Sequence, residues 1–216
     1  MNPDLLIMIA SSLGTIAFSI SGALIAIECN LDIFGVIMSG CFTACGGGVL
    51  RDVMLQTHIN MFTDPMYVII SFFISIAVFL VVYFIKNIDF SNNKFYKNFL
   101  VITDSIGLGA FVVVGMNAAI NAQETSMFAI CFYGVLTAVG GGLIRDICVN
   151  KIPAIFRKHI YAVAAIIGSI IFYLLMKVNF NYLANVILTV FVIVLVRYLA
   201  FYFELGLPKI KIDENK

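Results

Sequence analysis

The sequence predicts an all-α integral membrane protein with seven transmembrane helices, built as two inverted three-helix repeats plus a seventh helix. Three observations carry that prediction. Of 216 residues, 62% are apolar and only 12% charged, and the mean hydropathy is +1.06, far from soluble averages. Long uncharged runs recur along the chain. A Gly-Gly-Gly-x-x-Arg-Asp block occurs twice. The first of these excludes a water-soluble enzyme. The balance of 13 Lys+Arg against 12 Asp+Glu offers no basic footprint for nucleic acid.

A helix needs about 20 apolar residues to cross a bilayer. Seven runs meet or approach this length: Leu5–Ile27, Ile33–Leu50, Met66–Ile85, Phe99–Ile120, Ser126–Ile144, Ile160–Met176 and Leu183–Phe203. The first has no basic leader, carries Asp4 in front and exceeds a signal-peptide core, so it is read as a retained helix. Tyr67, Tyr83, Tyr161 and Tyr202 fall near span ends and supply an interfacial belt in a chain without Trp. The five cysteines, Cys29, Cys41, Cys45, Cys131 and Cys148, lie in or beside apolar stretches with no CxxC and no His at ligand spacing. They read as small membrane residues, and neither a disulfide framework nor a metal site is expected.

Basic residues cluster between spans 3 and 4 (Lys86, Lys94, Lys97), between spans 5 and 6 (Arg145, Lys151, Arg157, Lys158) and in the tail (Lys209, Lys211, Lys216). All three groups fall on one side, against Arg51 and Lys177 on the other. By the positive-inside rule the amino terminus lies outside and the carboxyl terminus in the cytoplasm.

The repeat is visible residue by residue. Ala17, Phe18, Gly22, Ala26 and Ile27 match Ala110, Phe111, Gly115, Ala119 and Ile120 at one offset. After a one-residue shift, Thr43-Ala44, Gly46-Gly47-Gly48 and Arg51-Asp52 match Thr137-Ala138, Gly140-Gly141-Gly142 and Arg145-Asp146. The first repeat spans residues 5–85, the second 99–176, the seventh helix 183–203 and a cytoplasmic tail 204–216. Because three spans is an odd number, the second repeat enters the membrane from the opposite side, an architecture associated with transport.

A glycine costs about 1 kcal/mol relative to alanine inside a helix, so two runs of three demand a reason. Close helix packing is one, and Ser39-Gly40 and Ala44 would then share the same surface. The other, preferred here, is that the helices bend or open at Gly46–Gly48 and Gly140–Gly142, freeing carbonyls for a cation and amides for an anionic group. On that reading Gly47→Ala and Gly141→Ala hold or raise stability while flux falls. Arg51-Asp52 and Arg145-Asp146 are either interfacial anchors or charge pairs at the two mouths of a pathway. Asp104 belongs either to the pathway or to a helix end, and Arg197 is read as snorkelling to the inner interface. Glu28 and Asp32 are read as solvated loop residues that could also concentrate cations at the inner mouth. His58 and His159 have no companion ligands. No nucleophile-base constellation, phosphate loop or metal cluster is found, so neither enzymatic chemistry nor a cofactor is expected.

The twin Gly-Gly-Gly-x-x-Arg-Asp blocks, each preceded by Thr-Ala and by an upstream Ala-Phe-x-x-x-Gly helix, resemble the prokaryotic branch of the trimeric intracellular cation (TRIC) channel family over residues 5–176. The resemblance implies a homotrimer in the plasma membrane of a bacterium or archaeon. It also implies a pore within each protomer, bent at the glycine runs of spans 2 and 5 and passing monovalent cations such as K+. Similar bacterial members are described as glycine transporters, so glycine stays open as the alternative solute. The chain departs from its own repeat where Ile59 stands opposite Pro153, which predicts a looser turn before span 3.

Overall fold

The computed structural model describes residues 3–85, 93–157 and 160–206. Lys86, Lys158, His159 and the tail lysines Lys209, Lys211 and Lys216 lie outside the described residues. Nine α-helices form within the described residues: α1 (Pro3–Glu28), α2 (Ile33–Met54), α3 (Asn60–Thr63), α4 (Met66–Ile85), α5 (Lys94–Asn121), α6 (Met127–Cys148), α7 (Ala154–Arg157), α8 (Tyr161–Lys177) and α9 (Tyr182–Tyr202). Six of them are long and apolar enough to cross a membrane; α8 is apolar but has 17 residues, or about 26 Å at 1.5 Å per residue. That is the short end of the spanning range.

Helix ends follow local chemistry. The Asp32 carboxylate accepts from the Gly35 amide at 2.8 Å to cap α2, and Asn93 and Asn181 cap α5 and α9 the same way. Asp32 is therefore a helix cap, one consequence of its place in the loop between spans 1 and 2. At the carboxyl ends of α2 and α6, Gln56 and Asn150 take positive φ (54° and 56°). The next amides, of Thr57 and Lys151, return to the carbonyls of Asp52 and Asp146 at 3.0 and 2.8 Å. This left-handed stop, normally glycine's role, uses Gln and Asn here.

The two repeats meet chiefly at two crossings, α1 against α5 and α2 against α6. Phe18 on α1 and Phe111 on α5 meet at 5.2 Å between ring centroids, and α5 is the most buried of the candidate spans. Outer faces remain apolar and exposed, as at Phe72, Phe73, Phe84 and Phe191, which suits hydrocarbon as the surrounding solvent. Several buried hydroxyls inside the spans return to their own helix: Ser19 donates to the Thr15 carbonyl at 2.6 Å, Thr43 to Ser39 at 2.6 Å and Ser75 to Ser71 at 2.7 Å; Ser39 of α2 instead donates to the Gly22 carbonyl of α1 at 2.9 Å.

Two expectations are corrected at this level. The turn opposite Pro153 is no looser, because short helices follow both Ile59 and Pro153, each tied at its first amide to an aspartate. The Asn60 amide donates to Asp52 Oδ2 at 3.0 Å and the Ala154 amide to Asp146 Oδ2 at 2.7 Å. Tyr161 is no belt residue: it is 2% exposed with the Arg197 guanidinium over its ring at 4.2 Å. Tyr83 and Tyr202 are exposed, as a belt requires.

Candidate functional site

The two glycine runs meet each other. α2 is α-helical from Ile33 to Met54 and α6 from Met127 to Cys148, straight through both runs, and none of the described glycines has positive φ. The expected opening of these helices, with freed carbonyls, is not what this structure holds. Packing explains the glycines instead. A Cβ on Gly47 would overlap the Thr137 carbonyl, and a Cβ on Gly141 would overlap the Thr43 carbonyl. A Cβ on Gly140 would stand 3.1 Å from the Gly47 Cα. Upstream, a Cβ on Gly22 would lie 2.8 Å from the Ser39 carbonyl oxygen, and one on Gly115 would lie 2.7 Å from that of Tyr133. Backbones this close tolerate only glycine. Gly48 differs: the nearest atom to its Cβ position is Arg51 Nη2 at 3.8 Å.

Each run ends in an Arg-Asp pair buried on the same helix. Arg51 donates to Asp52 Oδ1 through Nε at 2.8 Å and Nη2 at 2.6 Å, and Arg145 Nε donates to Asp146 Oδ1 at 2.9 Å. All four residues are at most 5% exposed. The other oxygen of each aspartate receives the amide of the following short helix, so each carboxylate holds both its arginine and the chain beyond. These charges do not reach out to headgroups.

The two pairs then diverge. Arg145 Nη1 reaches Asp104 Oδ1 on α5 at 3.2 Å, and Asp104 Oδ2 accepts from Arg197 Nη2 on α9 at 2.8 Å. Ser21 Oγ lies 3.5 Å from Asp104 Oδ1, and Arg197 Nε donates to Ser105 Oγ at 3.2 Å. Asp104 is 6% exposed and Arg197 6%. Arg197 therefore points into the bundle and pairs with Asp104; it does not snorkel, because a carboxylate at hydrogen-bond distance outweighs a stretch to the interface. Counting back from Asp104 by the separation of Gly22 and Gly115 gives Ser11. Among the described residues Arg51 thus has Ser11 where Arg145 has Asp104.

At the Arg51 end lies a cavity of about 570 Å³ instead. Its wall includes Arg51, Asp52, Gly48, Asp64, Tyr67 and Asn117. Ser11 and Thr15 of α1 add hydroxyls, Asn121 of α5 an amide, and the exposed His58 an imidazole. Asp104 and Asn117 are 13 residues apart on α5, about 20 Å along the axis. The open cavity and the buried Asp104 cluster therefore occupy opposite ends of the α2–α6 crossing.

Of the residues singled out from sequence, Gly46, Gly47, Gly140 and Gly141 come together at the crossing. Gly48, Arg51 and Asp52 line the cavity, and Arg145, Asp146 and Asp104 form the buried cluster, against which the Gly142 backbone also lies. Glu28 is half-exposed, and its carboxylate meets Lys151 Nζ at 3.4 Å and the Tyr96 hydroxyl at 3.3 Å. Sequence reasoning passed over Asp64, Asn60, Asn117, Ser11 and Thr15. Ser11, Thr15 and Ser19 recur every four residues and so share one face of α1, a polar stripe that could have been read.

Comparison with known proteins agrees with this architecture. The family model described as "Glycine transporter" matches residues 8–83 and 101–177. The chain is 36% identical over 207 residues to the inner membrane protein YadS of Escherichia coli, covering 94% of this chain and 95% of that protein. To the membrane protein YvgT of Bacillus subtilis it is 31% identical, covering 92% and 93%. A solved structure described under conductance through TRIC cation channels superposes with a TM-score of 0.79 at 34% identity, covering 95% of this chain and 97% of that one. A TRIC trimeric intracellular cation channel orthologue from Rhodobacter sphaeroides gives 0.81 at 26% identity, covering 92% and 98%.

Proposed function

This chain belongs to the glycine transporter family, and from that premise and its likeness to solved TRIC channels we propose that it is a channel for monovalent cations, K+ and Na+. The protein acts in the plasma membrane as a homotrimer with a pathway inside each protomer. The observation that carries the reading is the 570 Å³ cavity ending against the α2–α6 crossing. Its charged lining has two carboxylates, Asp52 and Asp64, against one guanidinium, Arg51, an excess of one negative charge that draws cations from solution. Gly47 and Gly141 keep the two helices in backbone contact below it, so a small shift at the crossing opens or closes the route. The two Gly-Gly-Gly-x-x-Arg-Asp segments are inverted copies, residues 5–85 and 99–176, with helix 183–203 added. The amino terminus is outside and the carboxyl terminus cytoplasmic, supported by Lys94, Lys97, Lys151 and Arg157 on one side against Lys177 on the other.

A second reading, glycine transport, is favoured by one feature: charges of both signs line the same cavity, with Arg51 for a carboxylate and Asp64 for an ammonium group. Planar-bilayer recording of the purified protein in asymmetric KCl, with glycine uptake into proteoliposomes from the same preparation, separates the two. The channel reading expects ohmic K+ current with no saturable glycine uptake. Saturable glycine uptake without K+ current overturns it.

A further inference from the structure

We propose that Asp104 is a binding site for the permeant monovalent cation, and that the Arg197 guanidinium occupies it in this conformation as a tethered cation, making α9 the gate at this end. The inference rests on the channel reading. Its starting point is that Arg197 comes from the one long helix outside the two repeats, yet its charge is buried in the centre of the second. Its Nη2 is 2.8 Å from Asp104 Oδ2 and its Nε 3.2 Å from Ser105 Oγ.

Charge balance gives the guanidinium its meaning. Asp104 and Asp146 face Arg145 and Arg197 in one buried cluster. Withdrawing Arg197 removes one positive charge from it, which a single monovalent cation restores. Withdrawal leaves the rest intact, because Arg145 keeps Asp146 at 2.9 Å and the Ala154 amide stays on Asp146 Oδ2 at 2.7 Å. Oxygen ligands are also at hand. Asp104 Oδ2 and Ser105 Oγ contact the guanidinium directly, Ser21 Oγ lies 3.5 Å from the other oxygen of Asp104, and the buried Tyr161 hydroxyl has no hydrogen-bond partner among the described residues. Hard oxygen donors of this kind suit an alkali cation.

The other end of the molecule serves as the internal comparison. There Arg51 and Asp52 stand in the same register, but Ser11 replaces the Asp104 position and Tyr67 lines open space. Where Arg51 is the one guanidinium in the lining the end is a cavity; where α9 adds Arg197 to Arg145, the charges are buried together.

The test is K+ current in planar bilayers from wild type, Arg197→Ala and Arg197→Lys, with and without millimolar guanidinium chloride. Arg197→Ala should raise open probability roughly tenfold, and free guanidinium should block that variant at concentrations that leave wild type unaffected. Adding Asp104→Asn to Arg197→Ala should abolish the guanidinium block. Arg197→Lys keeps the charge but cannot bridge Asp104 and Ser105 together, and should raise open probability several-fold; it carries the test if Arg197→Ala does not assemble. Folded variants that conduct as wild type, or that respond to guanidinium no more than wild type, overturn the proposal while leaving the channel reading standing. No K+ current from any of the proteins removes the channel reading and this site with it.

Discussion

Gly47 on α2 has no space for a side chain, because the position of its Cβ is taken by the main-chain carbonyl of Thr137 on α6. The relation is reciprocal, since Gly141 faces the Thr43 carbonyl in the same way. Two helices touching backbone to backbone at two matched points cannot separate locally without moving as bodies. That makes the crossing the mechanical centre of the bundle.

Substitution at the crossing should therefore be graded by position. Gly47→Ala and Gly141→Ala each force backbone apart and should cost about 1–3 kcal/mol or more, read as a lower unfolding temperature and loss of the native oligomer. Gly48→Ala, whose Cβ meets nothing nearer than 3.8 Å, should hold stability or gain up to about 1 kcal/mol from helix propensity. Thermal unfolding in detergent of the three variants side by side checks the ordering. Equal stability of Gly47→Ala and Gly48→Ala would contradict it.

Removal of the Asp52 or Asp146 carboxylate by Asp→Ala should be severe. Each leaves a buried guanidinium short of its nearest partner and frees the amide of Asn60 or Ala154. A loss of about 3–5 kcal/mol is expected for a broken buried pair. Asp52→Ala should be the worse of the two, because Arg145 retains Asp104 at 3.2 Å whereas Asp52 is the one acidic partner of Arg51 among the described residues. Denaturation midpoints of the two variants test this.

Asp104 and Arg197 should be strongly coupled. Asp104→Asn and Arg197→Gln each disturb the cluster, but the double variant removes both charges and should be less destabilised than the two single effects added together. A coupling on the order of 1–3 kcal/mol is expected for groups in one network. Additive effects in a double-mutant cycle would mean that the contact contributes nothing.

The α5 helix supplies the test of orientation. Lys94 begins it and Asn121 ends it, a helix of 28 residues, about 42 Å along the axis. With native cysteines replaced, Lys94→Cys should react with a membrane-impermeant maleimide only from the cytoplasmic side, and Gln123→Cys only from outside. Labelling of both from one side ends this topology.

Mass measurement in detergent, with bound lipid subtracted, should return three chains. A monomer at every concentration would contradict the trimer.

Sequence by itself determined the spans and the doubled Gly-Gly-Gly-x-x-Arg-Asp block, and it singled out Gly48, Arg51, Asp52, Asp104, Arg145 and Asp146, while Asp64, Asn117, Ser11, Thr15 and the inward course of Arg197 escaped it. The spans and the block depend on local composition and spacing: uncharged runs of bilayer length, and motifs repeated at constant separation, are properties of a string. The short helices α3 and α7 escaped notice because four residues give no periodicity to read; what makes them is an aspartate eight residues back accepting their first amide. Only the tertiary structure decided what the glycines do. Helix opening and close packing ask for the same small residue, and the choice turns on whether another backbone stands where a Cβ would be, as Thr137 and Thr43 do. It also decided Arg197. A long cationic side chain near a helix end can reach either water or a buried carboxylate, and which it meets depends on where α5 places Asp104, 93 residues away in the chain. A one-dimensional pattern specifies which groups exist, while their pairing is set by the packing of helices far apart in sequence.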